Sequence, residues 1–222
     1  MVRKVSGAYF NFGGQIIPME EAGLDDETYE KMVESFFNSK NGKEDLQKQL
    51  AGVTTINEAN DLLHRYCDSY ELLPTLISSH ELMDRNLWLA IVGLNWSSFD
   101  NVWEYTEKLL NLFQGLTRKQ FDLLMDEDEI SCLNKMPESI DIYRGCYEIN
   151  KNGISWTTKR EIAEGFTTLN RYRINGETPL LLKATFPRSH AVLKLNRQEF
   201  EIIVTDLALL GPATTSNEGL VI

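Results

Sequence analysis

Pro137-Glu138-Ser139-Ile140-Asp141-Ile142-Tyr143-Arg144-Gly145 is where the chain changes its period. Before it, apolar residues recur every three or four positions. Within it, Ile140 and Ile142 alternate with polar neighbours, the two-residue repeat of a strand with one covered face. Toward the C-terminus, Asn152-Gly153 reads as a turn. Ser155-Trp156-Thr157-Thr158 ends a second short strand and leads into a helix over 159–169, with Ile162, Ala163 and Phe166 on one face. Asn175-Gly176 is another turn. Leu180 to Phe186 reads as a buried strand, and Ala191–Leu195 and Glu199–Thr205 read as two more. Several short strands with one helix among them, after a helical block, predict an α+β fold.

Working back from Pro137, the helical block is long. From Asp25 onward, Tyr29, Met32, Val33, Phe36 and Phe37 keep helical spacing, with Asp25, Asp26 and Glu27 suited to a first turn. Gly13-Gly14 and Gly23 break the segment ahead of it, and Asn41-Gly42 reads as a turn. Further helices are expected over 44–50, 57–70, 72–92, 99–114 and 117–125. Pro74 begins or kinks one of them, and Thr117 to Gln120 fits a capping box. The acidic run Asp126-Glu127-Asp128-Glu129 reads as the solvated end of this section. Residues 1–137 thus form a helical region and 138–222 a sheet core, as two units or one continuous domain.

The 222 residues, 42% hydrophobic, suffice for one large domain or two small ones. No apolar run is long enough for a membrane span, and no apolar stretch follows the basic Met1-Val2-Arg3-Lys4, so no signal peptide is expected. Cys67, Cys132 and Cys146 are odd in number and lack CxxC spacing, which suits reduced thiols in the cytoplasm. With His64, His80 and His190 they make no zinc pattern, and no metal is expected. The net charge of −11 is lopsided. Residues 1–139 hold 12 Lys and Arg against 24 Asp and Glu; residues 140–222 hold 10 against 9. A global polyanion-binding surface is disfavoured, while a local nucleotide site in the C-terminal part is permitted, with Arg160, Arg171 and Arg173 near its helix.

Three signals carry candidate chemistry. Arg144 offers a rigid fork of donors that matches phosphate oxygens, or else forms a surface ion pair. Gly145 beside it, having no Cβ, permits a ligand to come close to the backbone. Ser155 and Thr157 bracket Trp156; they decorate a sheet, cap the following helix or border a ligand. Glu199 and Glu201, two apart in a strand, would share a face about 6–7 Å apart and repel unless solvated or tuned. Trp156 and Phe166 read as core, with Phe166 alternatively an aromatic wall. Cys146 lacks a nearby His and reads as a buried thiol.

In order and spacing these signals resemble the Arg-Ser-Glu class of mono-ADP-ribosyltransferases, which move ADP-ribose from NAD. Arg144 precedes Ser155 by 11 residues, and Ser155 precedes Glu201 by 46. The resemblance covers roughly 138–206. It implies a small mixed β-sheet core with NAD as substrate and no metal. Glu201 would bind the 2′-hydroxyl of the nicotinamide ribose and drive loss of nicotinamide. Glu199 would position the acceptor, as is usual where that acceptor is arginine. Ser155 would support the catalytic Glu. Arg144, Gly145, Thr157 and Phe166 would hold the dinucleotide. Arg197 would help a phosphate or pair with Glu199. Members of this look are often phage-encoded or serve as bacterial toxins, so a phage–host role and a neutralising partner are implied. The loop before Glu199 is shorter than in larger toxins, which leaves target choice open. A protein acceptor is favoured over nucleic acid by the acidic N-terminal part. Transfer to RNA or DNA, NAD hydrolysis, and a non-enzymatic acidic interaction protein with a degenerate core are the alternatives.

Overall fold

Alternating apolar residues after Pro137 build a six-stranded sheet beneath a shell of helices. The computed structural model describes residues 9–12, 15–18, 46–100, 102–167, 174, 176–195 and 199–215. The expected helix from Asp25 with Tyr29 to Phe37, the breaks at Gly13-Gly14 and Gly23, the Asn41-Gly42 turn, and Arg171, Arg173, Asn175 and Arg197 lie outside the described residues.

The first part is not wholly helical. β1 (Tyr9–Phe12) and β2 (Gln15–Pro18) pair antiparallel. A helical stretch at 46–50 follows, then α1 (Ile56–Tyr66), α2 (Leu72–Ser78), α3 (Arg85–Asn95), α4 (Thr106–Phe113), α5 (Arg118–Asp122) and α6 (Glu127–Asn134). The single helix expected over 72–92 is two. Asp84 breaks it by accepting the amides of Asn86 (2.9 Å) and Leu87 (3.0 Å), an N-cap that starts α3 afresh. Pro74 sits in the first turn of α2, where its missing N–H costs nothing. The capping box at Thr117 and Gln120 is present. The run from Asp126 begins a helix rather than ending one: Asp126 caps α6, and Glu129 answers with the reciprocal bond.

The sheet comprises β3 (Ser139–Cys146), β4 (Ser155–Thr157), β5 (Leu180–Pro187), β6 (Ala191–Lys194), β7 (Glu201–Val204) and β8 (Thr214–Thr215). Its order is β6-β7-β4-β3-β5-β8. Every neighbouring pair is antiparallel, so the mixed sheet expected from the resemblance is corrected to an antiparallel one. The helix α7 (Arg160–Phe166) packs on β3 and β4.

One continuous buried cluster runs from Leu46 and Leu63 through Trp88, Leu89 and Phe113 to Ile142, Phe186 and Ile203. Helices and sheet therefore share a core. The seam between them is also polar. Lys194 of β6 donates to Glu129 of α6 at 2.6 Å, with Glu129 1% exposed and Lys194 5%. Glu129 also accepts the Leu195 amide at 2.9 Å. The expectation of a solvated acidic run thus fails at Glu129. Among the described residues no helix is long and apolar enough to cross a membrane.

Candidate active site

Three neighbouring strands bring the three sequence signals together. β4 lies between β3 and β7, which places Arg144 and Gly145, then Ser155 and Thr157, then Glu201 side by side across the sheet. Thr157 is directly opposite Glu201 in the register. A cleft of about 360 Å³ opens beside them. Its walls are the sheet, the inner face of α7, and Trp96, Phe99, Asp100, Val102, Trp103 and Glu104 of the helical region. Arg144, Gly145, Ser155, Thr157, Phe166, Glu199 and Glu201 all border it.

Glu201 opens β7 and is half-buried. Its Oε1 accepts the indole Nε1–H of Trp96 at 2.9 Å, and the Ser155 side chain also hydrogen-bonds it. Burial pushes its carboxyl above the ordinary range; the bonds from Ser155 and Trp96 oppose this, the Glu199 charge adds to it, and the Arg144 charge opposes it. The net direction is up. A carboxylate held by two donors in a partly desolvated cleft is suited to grip a hydroxyl and to face a developing positive charge.

Arg144 is no surface ion pair. Its Nη1 donates to the Ser155 carbonyl and its Nη2 to the Asn150 carbonyl at 3.0 Å, while Nε is sealed from solvent and unpartnered. The guanidinium therefore braces β4 beneath Ser155 as well as lining the cleft. Burial lowers its proton affinity, with Cys146 and Glu201 opposing; the group stays cationic at any working pH. Gly153, read only as a turn, is the bed on which this guanidinium lies: a Cβ there would stand 2.2 Å from Nη2.

Gly145 has an architectural reason of its own. A Cβ there would stand 1.9 Å from the Ala163 carbonyl, so the glycine lets α7 close onto β3. Thr157 is buried. Its Oγ1 donates to the Glu199 carbonyl at 2.6 Å and accepts the Lys159 amide at 3.0 Å, tying β4 to the segment before β7 and to the start of α7.

Glu199 and Glu201 do not share a strand. β7 begins at Glu201, and Phe200 between them has φ +47°, a left-handed conformation rarely adopted by an aromatic residue. The Phe200 ring turns to Lys159, whose Nζ is 4.9 Å from its centroid. The alternation expected from Glu199 onward is broken there, yet both carboxylates border the cleft. Phe166 is half-buried and borders it too, as does Trp156, which is buried and donates Nε1–H to the Gly153 carbonyl at 3.0 Å. Cys146 is buried and burial raises its thiol, which leaves it unreactive. Among the described residues no group of His, Cys, Asp or Glu is placed to hold a metal ion.

Trp96 and Gly153 are the site residues that patterning missed. The Asn-Gly turn is a signal for Gly153, but only of a bend. Trp96 follows α3 and carries no local signal of a role 105 positions away. No family model matches the chain, and no curated protein or solved structure matches it either.

Proposed function

We propose that the protein is a mono-ADP-ribosyltransferase, moving the ADP-ribose of NAD to a macromolecular acceptor with release of nicotinamide. One observation carries this reading: Glu201, hydrogen-bonded by Ser155, shares a cleft with a fixed, half-buried Arg144, and the three come from adjacent strands. In this mechanism Glu201 accepts the 2′-hydroxyl of the nicotinamide ribose. The C1′–N bond breaks, and its electron pair leaves with nicotinamide. The positive charge on C1′ and the ring oxygen is stabilised by the carboxylate. The acceptor's nucleophile then bonds to C1′ and gives up its proton, with Glu199 as the nearby base. Arg144 faces the negative charge of the dinucleotide, and Gly145, Thr157 and Phe166 complete its binding surface.

A protein side chain, with arginine the first candidate, is the favoured acceptor. Asp100, Glu104 and Glu199 border the cleft and repel a nucleic-acid backbone while attracting a cation. The chemistry belongs to pentosyl transfer.

The test uses adenine-labelled NAD with the purified protein and bacterial lysate, beside Glu201→Gln. Label on macromolecules that is lost by at least 100-fold in the variant supports the reading. Protease or nuclease sensitivity then names the acceptor class. NAD loss without labelled macromolecule makes the protein a glycohydrolase. Neither NAD loss nor label removes the enzymatic reading in favour of an acidic interaction protein.

A further inference from the structure

We infer that Trp96, from the helical region, is a positioning residue for Glu201, and that the site is completed by the helical region rather than by the sheet alone. The inference rests on the transferase reading for its catalytic consequence, but its geometric part stands independently. The indole Nε1–H reaches Glu201 Oε1 at 2.9 Å across 105 residues of chain.

An indole nitrogen can only donate, and it does not titrate. It therefore fixes one carboxylate oxygen in the same way at every pH. Ser155, a hydroxyl that donates or accepts, cannot enforce this alone. Trp96 is itself held. It is 2% exposed, stacks edge-on against Phe99 at 5.9 Å between centroids, and follows Asn95, whose Nδ2 is bound to Asn60 Oδ1 (3.1 Å) and the Ile91 carbonyl (3.0 Å). The bond to Glu201 is thus made by a preorganised donor at the end of α3. The groups facing Glu201 are Trp96 from the helical region, Ser155 from β4, Glu199 from the preceding segment, and Arg144 from β3. Two donors and one cation favour the ionised form and oppose burial and one like charge, which together still leave the carboxyl above its ordinary range.

Removing the indole donor while keeping an aromatic ring leaves the carboxylate looser and harder to ionise. Trp96→Phe is expected to lower kcat by about 10- to 100-fold, to leave KM for NAD within about twofold, and to move the acid limb of the pH–rate profile upward by about one pH unit. A packing role alone would not move that limb. A second readout needs no turnover. The indole N–H resonance of Trp96, assigned by its loss in Trp96→Phe, is expected to titrate in the wild type and to stay flat in Glu201→Gln. If Glu201→Gln keeps full NAD-cleaving activity, the transferase role of Glu201 fails, and the resonance still decides whether Trp96 holds it. An indole resonance indifferent to pH, or an acid limb unmoved in Trp96→Phe, overturns the inference.

Discussion

Gly153 lies directly under the guanidinium of Arg144, so close that any side chain at 153 would occupy the space of Nη2 and Cζ. The two residues are one device: the turn supplies the bed, and the arginine crosses it to the carbonyls of Asn150 and Ser155. Gly153→Ala is therefore expected to displace Arg144 and free Ser155 without unfolding the chain. The loss of charge-assisted bonds corresponds to about 2 kcal/mol of stability. On the proposed transferase reading, NAD cleavage is expected to fall about as far as in Arg144→Ala. Thermal melts and NAD-turnover assays on both variants check this; a fully active Gly153→Ala would mean that the guanidinium position is not needed.

Two other glycines give a contrast that isolates close approach from helix propensity. Gly145 meets the backbone of α7, where the Ala163 carbonyl cannot retreat without moving the helix. Gly145→Ala is expected to destabilise by about 3 kcal/mol. Gly165, inside α7, has nothing within 4 Å of a built Cβ. Gly165→Ala is expected to stabilise by about 0.5–1 kcal/mol. Chemical denaturation of the pair measures both signs in one experiment.

The raised proton affinity of Glu201 also has a signature in stability. Burial leads the shift, so the folded state holds the proton more tightly than the unfolded chain does. The stability this group contributes is fully present below the ordinary carboxylate range and is lost as pH rises through the raised value. Glutamine mimics the neutral carboxyl at every pH and still accepts from Trp96. Glu201→Gln is thus expected to melt higher than wild type near neutral pH, with the gap closing below about pH 4. Melting curves across that range check the sign; a lower Tm at neutral pH would show that the ionised form is the stabilising one.

Much of the sheet was legible because its strands alternate or run apolar between turn residues. Ile140 and Ile142 are buried on β3 as their spacing implies, and Leu180 to Phe186 lies within β5. The α+β class followed from the change of period at Pro137. The clustering of Arg144, Ser155 and Glu201 was legible only from the order of three weak signals, each with an ordinary structural explanation. Other features depend on tertiary geometry that no local pattern encodes. The left-handed Phe200 interrupts what reads as one uninterrupted strand. The break between α2 and α3 is made by side-chain caps from Asp84 to the Asn86 and Leu87 amides, contacts that the helical spacing over 72–92 does not encode. Trp96 is part of the core, and only the direction of its N–H gives it a second role.

Glu129 was illegible for the same reason, and its burial makes the strongest stability prediction. A glutamate in the run Asp126-Glu127-Asp128-Glu129 reads as solvated until Lys194, 65 residues on, is seen to end β6 against it. The pair is hardly exposed, and Lys194 also donates to the Leu124 carbonyl at 3.1 Å, so the turn after α5, α6 and the sheet edge are joined at one point. Truncating only the lysine strands a carboxylate in the core. Lys194→Met is expected to cost about 3–5 kcal/mol, whereas Lys194→Met combined with Glu129→Leu recovers a large part of that loss, because desolvation of two charges offsets much of their attraction. The Leu195 amide that Glu129 accepts then goes unpaired, which limits the recovery. Denaturation of the two single variants and the double completes the cycle. A single-variant cost below about 1 kcal/mol would place the pair in water rather than at the seam.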